Sequence, residues 1–347
     1  YTQVVERIGL NDRRKVEAQL DAILKAKPEL VLLAGGTEKG ATRSVLKLAD
    51  LIVMACRVMP RQERPVVLYC GNGALAKRVK DTLERETVVV VSPNIRPTID
   101  QEDIAPAETY LARIVAKLRT LQLGGLDQIA AMASTTPLPS AFALGRMMRF
   151  SSELSGLSKP TLGVDLGSAA TTLSVASAGN LQSSVDRTLG MGASLQSALE
   201  QVRIEDVSRW IPYDLPESEI RDTLYQKSLF PASLPLTPEN LAIEQAMARQ
   251  VLQASVLRLL ERWPDTELSF ELVFLGGATF SQAATSAQKL LIALDGLQPV
   301  GINVFMLDPY GLSQALGAIS GINTLLPAQL IESGAYVNLG TVICPVS

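Results

Sequence analysis

The sequence predicts an α/β protein with buried parallel strands. Hydrophobic residues make up 47% of the 347-residue chain and charged residues only 19%, a balance typical of strands that are covered on both faces. Short apolar runs end at glycine turns and alternate with segments of helical periodicity, which is the pattern of βαβ units. Because a single core stops growing near roughly 250–300 residues, we expect more than one domain.

Residues 1–105 are predicted to form an α/β domain with a glycine turn. An apolar strand at Leu30–Leu33 precedes Gly35 and Gly36, and a second strand at Val66–Tyr69 ends at another glycine turn. Helices of 3.6-residue apolar period follow both turns, so the region is predicted to be a βαβ unit. From 106 to 158 the period is helical throughout, which predicts a helical connector.

Residues 159–347 open a new α/β unit. The apolar run Thr161–Val164 ends at Asp165, and an alternating strand over 171–177 is followed by a predicted hairpin turn at Gly179-Asn180. A later buried strand at Leu272–Leu275 ends in two glycines. We expect Thr161–Val164 and Leu272–Leu275 to be neighbouring strands of one sheet.

A long helix is predicted between these strands. Thr237 is a good N-cap, Pro238 suits the first helical position, and apolar spacing continues for about 25 residues.

Two segments of the chain resemble each other. Glu29–Ile52 aligns with Glu271–Leu294 without a gap, and ten of the 24 positions are identical. Either the unit is duplicated or two units converged on one local geometry. In both cases we expect strand, glycine turn and helix in each.

Composition excludes several classes of function. A net charge of −3, from 32 basic and 35 acidic residues, provides no basic stripe for nucleic acid. The absence of histidine removes Ser-His-Asp and Cys-His catalysis. Neither a signal peptide nor an apolar run long enough to span a bilayer is visible. The three cysteines, Cys56, Cys70 and Cys344, are far apart in sequence, so we expect a cytoplasmic protein without disulfides.

The segment around Asp165 is the strongest candidate for a ligand site. A strand delivers a carboxylate to a tight turn, glycine allows an anion to approach the backbone, and hydroxyls follow at the next strand; the carboxylate would hold Mg²⁺, usually through water. The alternative is a β-hairpin with no ligand. The predicted contacts are Asp165, Gly167, Ser168, Ala169, Thr171 and Thr172, with Asp165 also as the metal residue.

Two further glycine turns fit the same site. Gly190 and Gly192 precede a helix near Leu195, and a helix N-terminus behind such a turn binds anions. Gly276 and Gly277 present no side chain that would keep a base and ribose from the backbone. Each is also explained as an ordinary turn between a strand and a helix. Because carboxyl ends of parallel strands share one edge, we expect Asp165 and Gly276-Gly277 to face one crevice.

The order of these motifs resembles the actin, sugar-kinase and heat-shock chaperone superfamily, and within it the glutamate mutase accessory family of the MutL or GlmL type. The resemblance covers nearly the whole chain. It rests on Leu32–Thr37 (LLAGGT) with Gly40, Val66–Asn72 (VVLYCGN), Val164–Thr172 (VDLGSAATT) and Arg187–Gly192 (RTLGMG).

The resemblance implies an actin-like (ribonuclease H-like) ATPase fold, with residues 159–347 as a nucleotide-binding half. It also implies ATP or ADP and Mg²⁺ as cofactors, a role as a reactivating chaperone, and an adenosylcobalamin-dependent mutase as partner. We add Gly35, Gly36 and Thr37 to the predicted cofactor residues on the basis of the first motif. Some relatives are hydantoinase-like.

This chain departs from the family pattern at two points. Ser168 and Leu173 stand where the family has glycine and aspartate, and the family's first D-x-G-S-T loop is not found; if it precedes Tyr1, half of the phosphate clamp lies outside this sequence. Loss of a carboxylate weakens the case for metal-assisted hydrolysis. The alternatives are therefore a hydantoinase-like or kinase-like enzyme on the same fold and a pseudo-ATPase that acts as a binding scaffold.

Overall fold

The computed structural model describes residues 4–133, 137–154, 158–177 and 180–345. The chain forms two compact units, Tyr1–Pro139 and Ser140–Ser347. Each has its own sheet and its own hydrophobic core, so the α/β class is confirmed in both.

The first unit is built on a parallel sheet of order β1-β2-β3. Its strands are β1 (Leu30–Leu33), β2 (Val66–Tyr69) and β3 (Val89–Val91). Its helices are α1 (Val16–Ala26), α2 (Arg43–Val58), α3 (Ala76–Leu83), α4 (Ala105–Gln122) and α5 (Leu126–Met132). Since α2 and α3 connect parallel strands, the predicted βαβ pattern is present.

The core of the first unit lies between the sheet and α2 and α3. Val45, Ala49 and Ile52 recur at helical spacing on α2 and are buried against β2. The Tyr69 hydroxyl, also buried, donates a hydrogen bond of 2.9 Å to the Asn72 carbonyl oxygen. Burial raises the pKa of Tyr69 to about 12, so this phenol remains a neutral donor at physiological pH.

The second unit is larger. Its strands are β4 (Thr161–Leu166), β5 (Thr171–Ser177), β6 (Asn180–Asp186), β7 (Leu272–Gly276), β8 (Gly301–Leu307) and β9 (Val337–Cys344). Its helices are α6 (Ser140–Leu154), α7 (Leu195–Leu199), α8 (Ile204–Ser208), α9 (Glu217–Leu229), α10 (Pro238–Arg262), α11 (Ala278–Gln282), α12 (Ser286–Leu297), α13 (Ser313–Ile319) and α14 (Leu325–Glu332).

The sheet of this unit has the order β6-β5-β4-β7-β8-β9. Strands β4, β5 and β6 form an antiparallel meander, β7 and β8 run parallel to β4, and β9 is antiparallel to β8. Thr161 pairs with Leu272 and Val164 with Leu275, which confirms that the two predicted strands are neighbours. The predicted turn at Gly179-Asn180 lies partly outside the described residues, because 178 and 179 are not described.

Helices cover both faces of this sheet. On one face, Leu162, Val164 and Leu166 of β4 belong to the core that includes α10 and α12. The alternate residues of β4 face α6, since a side chain at Gly163 would contact Met148 of that helix. Helix α10 begins as predicted: the Thr237 hydroxyl accepts a 3.2 Å bond from the Asn240 amide, and Pro238 is the first helical residue.

Helix α6 packs differently from the expectation that residues 106–158 form one connector. Its buried residues Leu144, Met147 and Met148 pack against Ala176 of β5 and Phe274 of β7. The second compact unit therefore begins at Ser140 and not at residue 159. Helical periodicity shows that a helix has an apolar face, but not which sheet covers that face.

The two similar segments share their strand and their long helix. Strand β1 corresponds to β7, and the start of α2 corresponds within one residue to the start of α12. The residues between them differ: Thr37–Gly40 is a turn closed by a bond from the Gly40 amide to the Thr37 carbonyl, whereas Ala278–Gln282 is a short helix.

In the part of the chain that the structure describes, no helix is both long enough and apolar enough to cross a membrane.

Candidate functional site

A cavity of about 120 Å³ lies in the second unit, where β4, β7 and β8 end. Carboxyl ends of parallel strands form the usual ligand edge of an α/β sheet. The cavity is below the 300–1,000 Å³ typical of small-molecule pockets, so it has room for an ion and its waters or for a single phosphate group. Its lining residues are Leu144, Val164, Asp165, Phe274, Gly276, Gly277, Asp308, Gly311, Ser313 and Gln314.

Asp165 is the half-buried carboxylate of this cavity. It is paired with Gly276 in the parallel register and, as an alternate residue of β4, points away from the α10 core. Its Oδ2 atom accepts a 3.0 Å bond from Gln314 Nε2. Burial raises the pKa of the Asp165 carboxyl, the Gln314 bond opposes part of that rise, and the negative charge of Asp308 adds to it.

Asp308 is more deeply buried, with 2% of its surface exposed, and both of its carboxylate oxygens accept hydrogen bonds. Its Oδ1 accepts the Leu312 amide at 2.8 Å, and its Oδ2 accepts both the amide and the hydroxyl of Ser313 at 2.7 Å. Asp308 therefore anchors the first turn of α13.

Gly277 brings the backbone of β7 onto that of β4. It has φ +101° and ψ 158°, and a Cβ there would lie 2.2 Å from the Leu166 carbonyl oxygen. Gly276 and Gly277 line the same cavity as Asp165. The crevice expected from the sequence thus contains both predicted groups.

The loop that follows Asp165 forms hydrogen bonds with the glycine turn at Gly190 and Gly192, and it does not line the cavity. The Gly192 amide donates to the Ser168 carbonyl at 3.0 Å, and the Ala193 amide donates to Ser168 Oγ at 2.9 Å. Ser194 Oγ donates to the Ala169 carbonyl at 2.7 Å. Gly190 is also packed here, since a Cβ would lie 2.5 Å from the Ser168 carbonyl oxygen.

The hydroxyls predicted to contact phosphate are thus largely used inside the protein. Thr171 is 1% exposed and its hydroxyl donates to the Leu189 carbonyl at 2.8 Å. Thr172 is buried opposite Asp165 in the β4–β5 register. Gly167 donates its amide to the Ala170 carbonyl and closes the turn. The sequence identified the hydroxyl residues of this turn, but it did not indicate that they would bond to the next loop.

Gly35, Gly36 and Thr37 lie in the first unit, after β1. There Glu38 holds three loops together at the carboxyl edge of the small sheet, accepting bonds of 2.9 Å from the Gly73 amide and from Asn94 Nδ2. The Gly73 amide, followed by Asn94, lowers the pKa of Glu38. The Gly36 carbonyl also accepts from Asn94, at 3.0 Å.

The carboxylate of Asp165 is suited to a divalent cation. Among the described residues, Asp165 has no cationic side-chain partner and its Oδ1 atom has no hydrogen bond, so one carboxylate oxygen is available to a cation. No group of three or more His, Cys, Asp or Glu residues that could hold a metal occurs in that part of the chain. A single carboxylate with a free oxygen is compatible with Mg²⁺, which is commonly bound by one or two carboxylates together with water and phosphate oxygens.

Gln314 is the site residue that sequence reasoning missed. It follows Asp165 by 149 residues in the chain and belongs to α13. A glutamine near a helix start carries no local signal of a carboxylate partner.

Comparison with known proteins gives a family and two distant structures. The family model described as MutL protein matches residues 1–334. No curated protein matches the chain. Component A of (R)-2-hydroxyglutaryl-CoA dehydratase from Acidaminococcus fermentans is 13% identical, with 80% of this chain and 82% of that chain covered and a TM-score of 0.27. The nucleotide-free structure of acetone carboxylase, from a study of ATP-dependent acetone carboxylation, is also 13% identical, with 77% of this chain and 48% of that chain covered and a TM-score of 0.34.

Proposed function

The chain belongs to the MutL protein family, the glutamate mutase accessory type to which its motifs point, and on that premise we propose that it is a nucleotide-binding accessory protein. The proposed fold of the second unit is actin-like, in keeping with its antiparallel meander, long helix and two further parallel strands. The proposed ligands are ATP or ADP with Mg²⁺, and the proposed partner is an adenosylcobalamin-dependent mutase.

One observation carries the proposal. Asp165 and Gly276-Gly277 line one cavity at adjacent strand ends, and the carboxylate there has no cationic partner among the described residues. A half-buried carboxylate without a counter-charge is costly in an apolar surrounding, and a bound cation would remove that cost. Asp165 would hold Mg²⁺ through its free oxygen, and Mg²⁺, when bound, supplies positive charge that stabilises phosphate oxygens.

The proposal assigns different roles to the predicted residues. The backbone at Gly276 and Gly277, which lines the cavity, would receive the ribose or base. Ser168, Thr171, Gly190 and Gly192 would fix the shape of the loop beside the site through the bonds described above. The cavity itself has room for the metal with its waters or for one phosphate group, so the rest of a nucleotide would lie outside it.

The test replaces Asp165 with Asn, which keeps the shape and removes the charge. Titration calorimetry with ATP and ADP, each with MgCl₂ and with EDTA, should show the Mg²⁺-dependent affinity reduced by about 1–3 kcal/mol, or roughly 5- to 150-fold. Asp214→Asn, at an exposed aspartate, is the matched control and should bind like the unsubstituted chain. Equal affinities for Asp165→Asn and Asp214→Asn would remove Asp165 from the site.

Binding without turnover is the second candidate, and Leu173 favours it. Where the family has an aspartate, this residue is 1% exposed in the apolar core and pairs with Val164. Asp308, the other carboxylate of the cavity, uses both of its oxygens to anchor α13. A protein that binds nucleotide with one available carboxylate would act as a scaffold. Release of inorganic phosphate from ATP at a rate above the buffer rate, abolished in Asp165→Asn, would contradict it.

A further inference from the structure

Gln314 lies where its side-chain amide can orient the Asp165 carboxylate. It lies in the first turn of α13 and its Nε2 atom is 3.0 Å from Asp165 Oδ2. We propose that Gln314 is a positioning residue, which holds the Asp165 carboxylate with one oxygen bound and the other free for a divalent cation. The inference rests on the proposed function and adds to it the residue that orients the Asp165 oxygen proposed to bind the metal.

The chemistry of the donor supports this role. An Arg or Lys in the same place would orient the carboxylate but also cancel its charge, and so compete with a cation. The glutamine amide is neutral, so it can fix the plane of the carboxylate and leave its net charge in place. Groups that hydrogen-bond to a metal-binding side chain without contacting the metal typically contribute about 10- to 100-fold to metal affinity.

The helix that carries Gln314 is itself held in place from two sides. Asp308 anchors its first turn through Leu312 and Ser313, and Ser313 Oγ also lies 3.1 Å from the Tyr336 hydroxyl. Farther along α13, a Cβ at Gly317 would lie 1.8 Å from the Ala143 carbonyl oxygen of α6.

This close approach means that the two helix backbones are in contact. Because α13 is fixed both at its start and along its length, the backbone of Gln314 is held in place beside Asp165. A site built on rigid elements of this kind holds its first contacts more accurately than one built on loops.

The experiment measures the gain in nucleotide affinity that Mg²⁺ gives. Gln314→Met keeps the length and helix propensity of the side chain and removes the amide donor; Gln314→Ala is the second variant, should the sulfur disturb packing. The matched control is Gln329→Met on α14, which does not line the cavity. ATP is titrated into each chain with MgCl₂ and with EDTA, and the urea midpoint of each is recorded by tryptophan fluorescence.

We expect both Gln314 variants to lose about 10-fold or more of the Mg²⁺-dependent gain, with unchanged affinity in EDTA and an unchanged urea midpoint. A purely structural role would lower affinity equally with and without Mg²⁺. If Asp165→Asn loses the gain and the Gln314 variants keep it, the positioning role is overturned while the proposed function stands. If Asp165→Asn keeps the gain, both are overturned, since there is then no metal carboxylate for Gln314 to position.

Discussion

Replacement of Gly277 by alanine tests whether the cavity depends on the contact between two backbones. The residue has φ +101°, a region that is essentially restricted to glycine, and a Cβ would meet the Leu166 carbonyl oxygen at 2.2 Å. The backbone strain costs about 1–3 kcal/mol, and forcing β4 and β7 apart costs about as much again. The expected loss of unfolding free energy for Gly277→Ala is therefore about 2–6 kcal/mol.

Gly311 provides the matched control, because it lines the same cavity at positive φ (+67°) but has nothing within 4 Å of the position that a Cβ would take. Gly311→Ala should cost only about 1 kcal/mol, for the left-handed conformation alone. Both tryptophans, Trp210 and Trp263, pack against the core of the second unit, so their fluorescence reports on that unit during urea unfolding. With a slope of about 2 kcal/mol/M, Gly277→Ala should lower the midpoint by roughly 1–3 M and Gly311→Ala by about 0.5 M.

Equal urea midpoints for the two alanine variants would refute this reasoning. In that case the strand ends would be able to separate at little cost, and the backbone contact at Gly277 would have no part in shaping the cavity.

Two further predictions concern local contacts. Thr237→Ala should cost about 1 kcal/mol because its hydroxyl caps α10, whereas Thr324→Ala, at a helix start with no side-chain cap bond, should leave the urea midpoint unchanged; equal shifts would contradict the capping role. The lowered pKa of Glu38 means that its stabilisation is present above its unfolded pKa of about 4.3 and is lost as the pH falls through the folded value. Hydrogen-exchange protection of the Gly73 amide should therefore fall in acid and become insensitive to pH in Glu38→Gln; protection that stays flat in the unsubstituted chain would contradict it.

Features that depend on neighbouring residues in the chain were predictable from sequence. The cap at Thr237 followed from a hydroxyl placed before a proline, and the strand at Leu272–Leu275 followed from an apolar run closed by glycines. The pairing of that strand with Thr161–Val164 was predictable as well, because both lead into glycine turns that a parallel sheet brings to one edge. In each case the signal is a short local pattern, even where, as for the strand pairing, the two patterns lie far apart in the chain.

Features that depend on tertiary partners were not predictable in the same way. The apolar face of α6 was evident from the sequence. Its packing against the second sheet, however, depends on Ala176 and Phe274, which come later in the chain. The hydroxyl of Ser168 was predicted to contact phosphate, whereas in the structure it accepts the Ala193 amide. A hydroxyl suits an anion and an amide equally well, so composition alone does not distinguish the two partners.

The position of Leu173 links the fold to the choice between binding and turnover. It is adjacent to Thr172, whose side chain lies on the Asp165 face of the sheet, so Leu173 points to the opposite face and enters the core beside Val164. An ionised aspartate at this position would be buried among apolar side chains and would cost several kcal/mol unless a partner accompanied it. Leu173→Asp alone is therefore expected to destabilise the second unit and not to supply a catalytic acid. Even with a core partner, that carboxylate would lie on the face of the sheet opposite Asp165, so an acid that faces the cavity would have to come from a position other than 173.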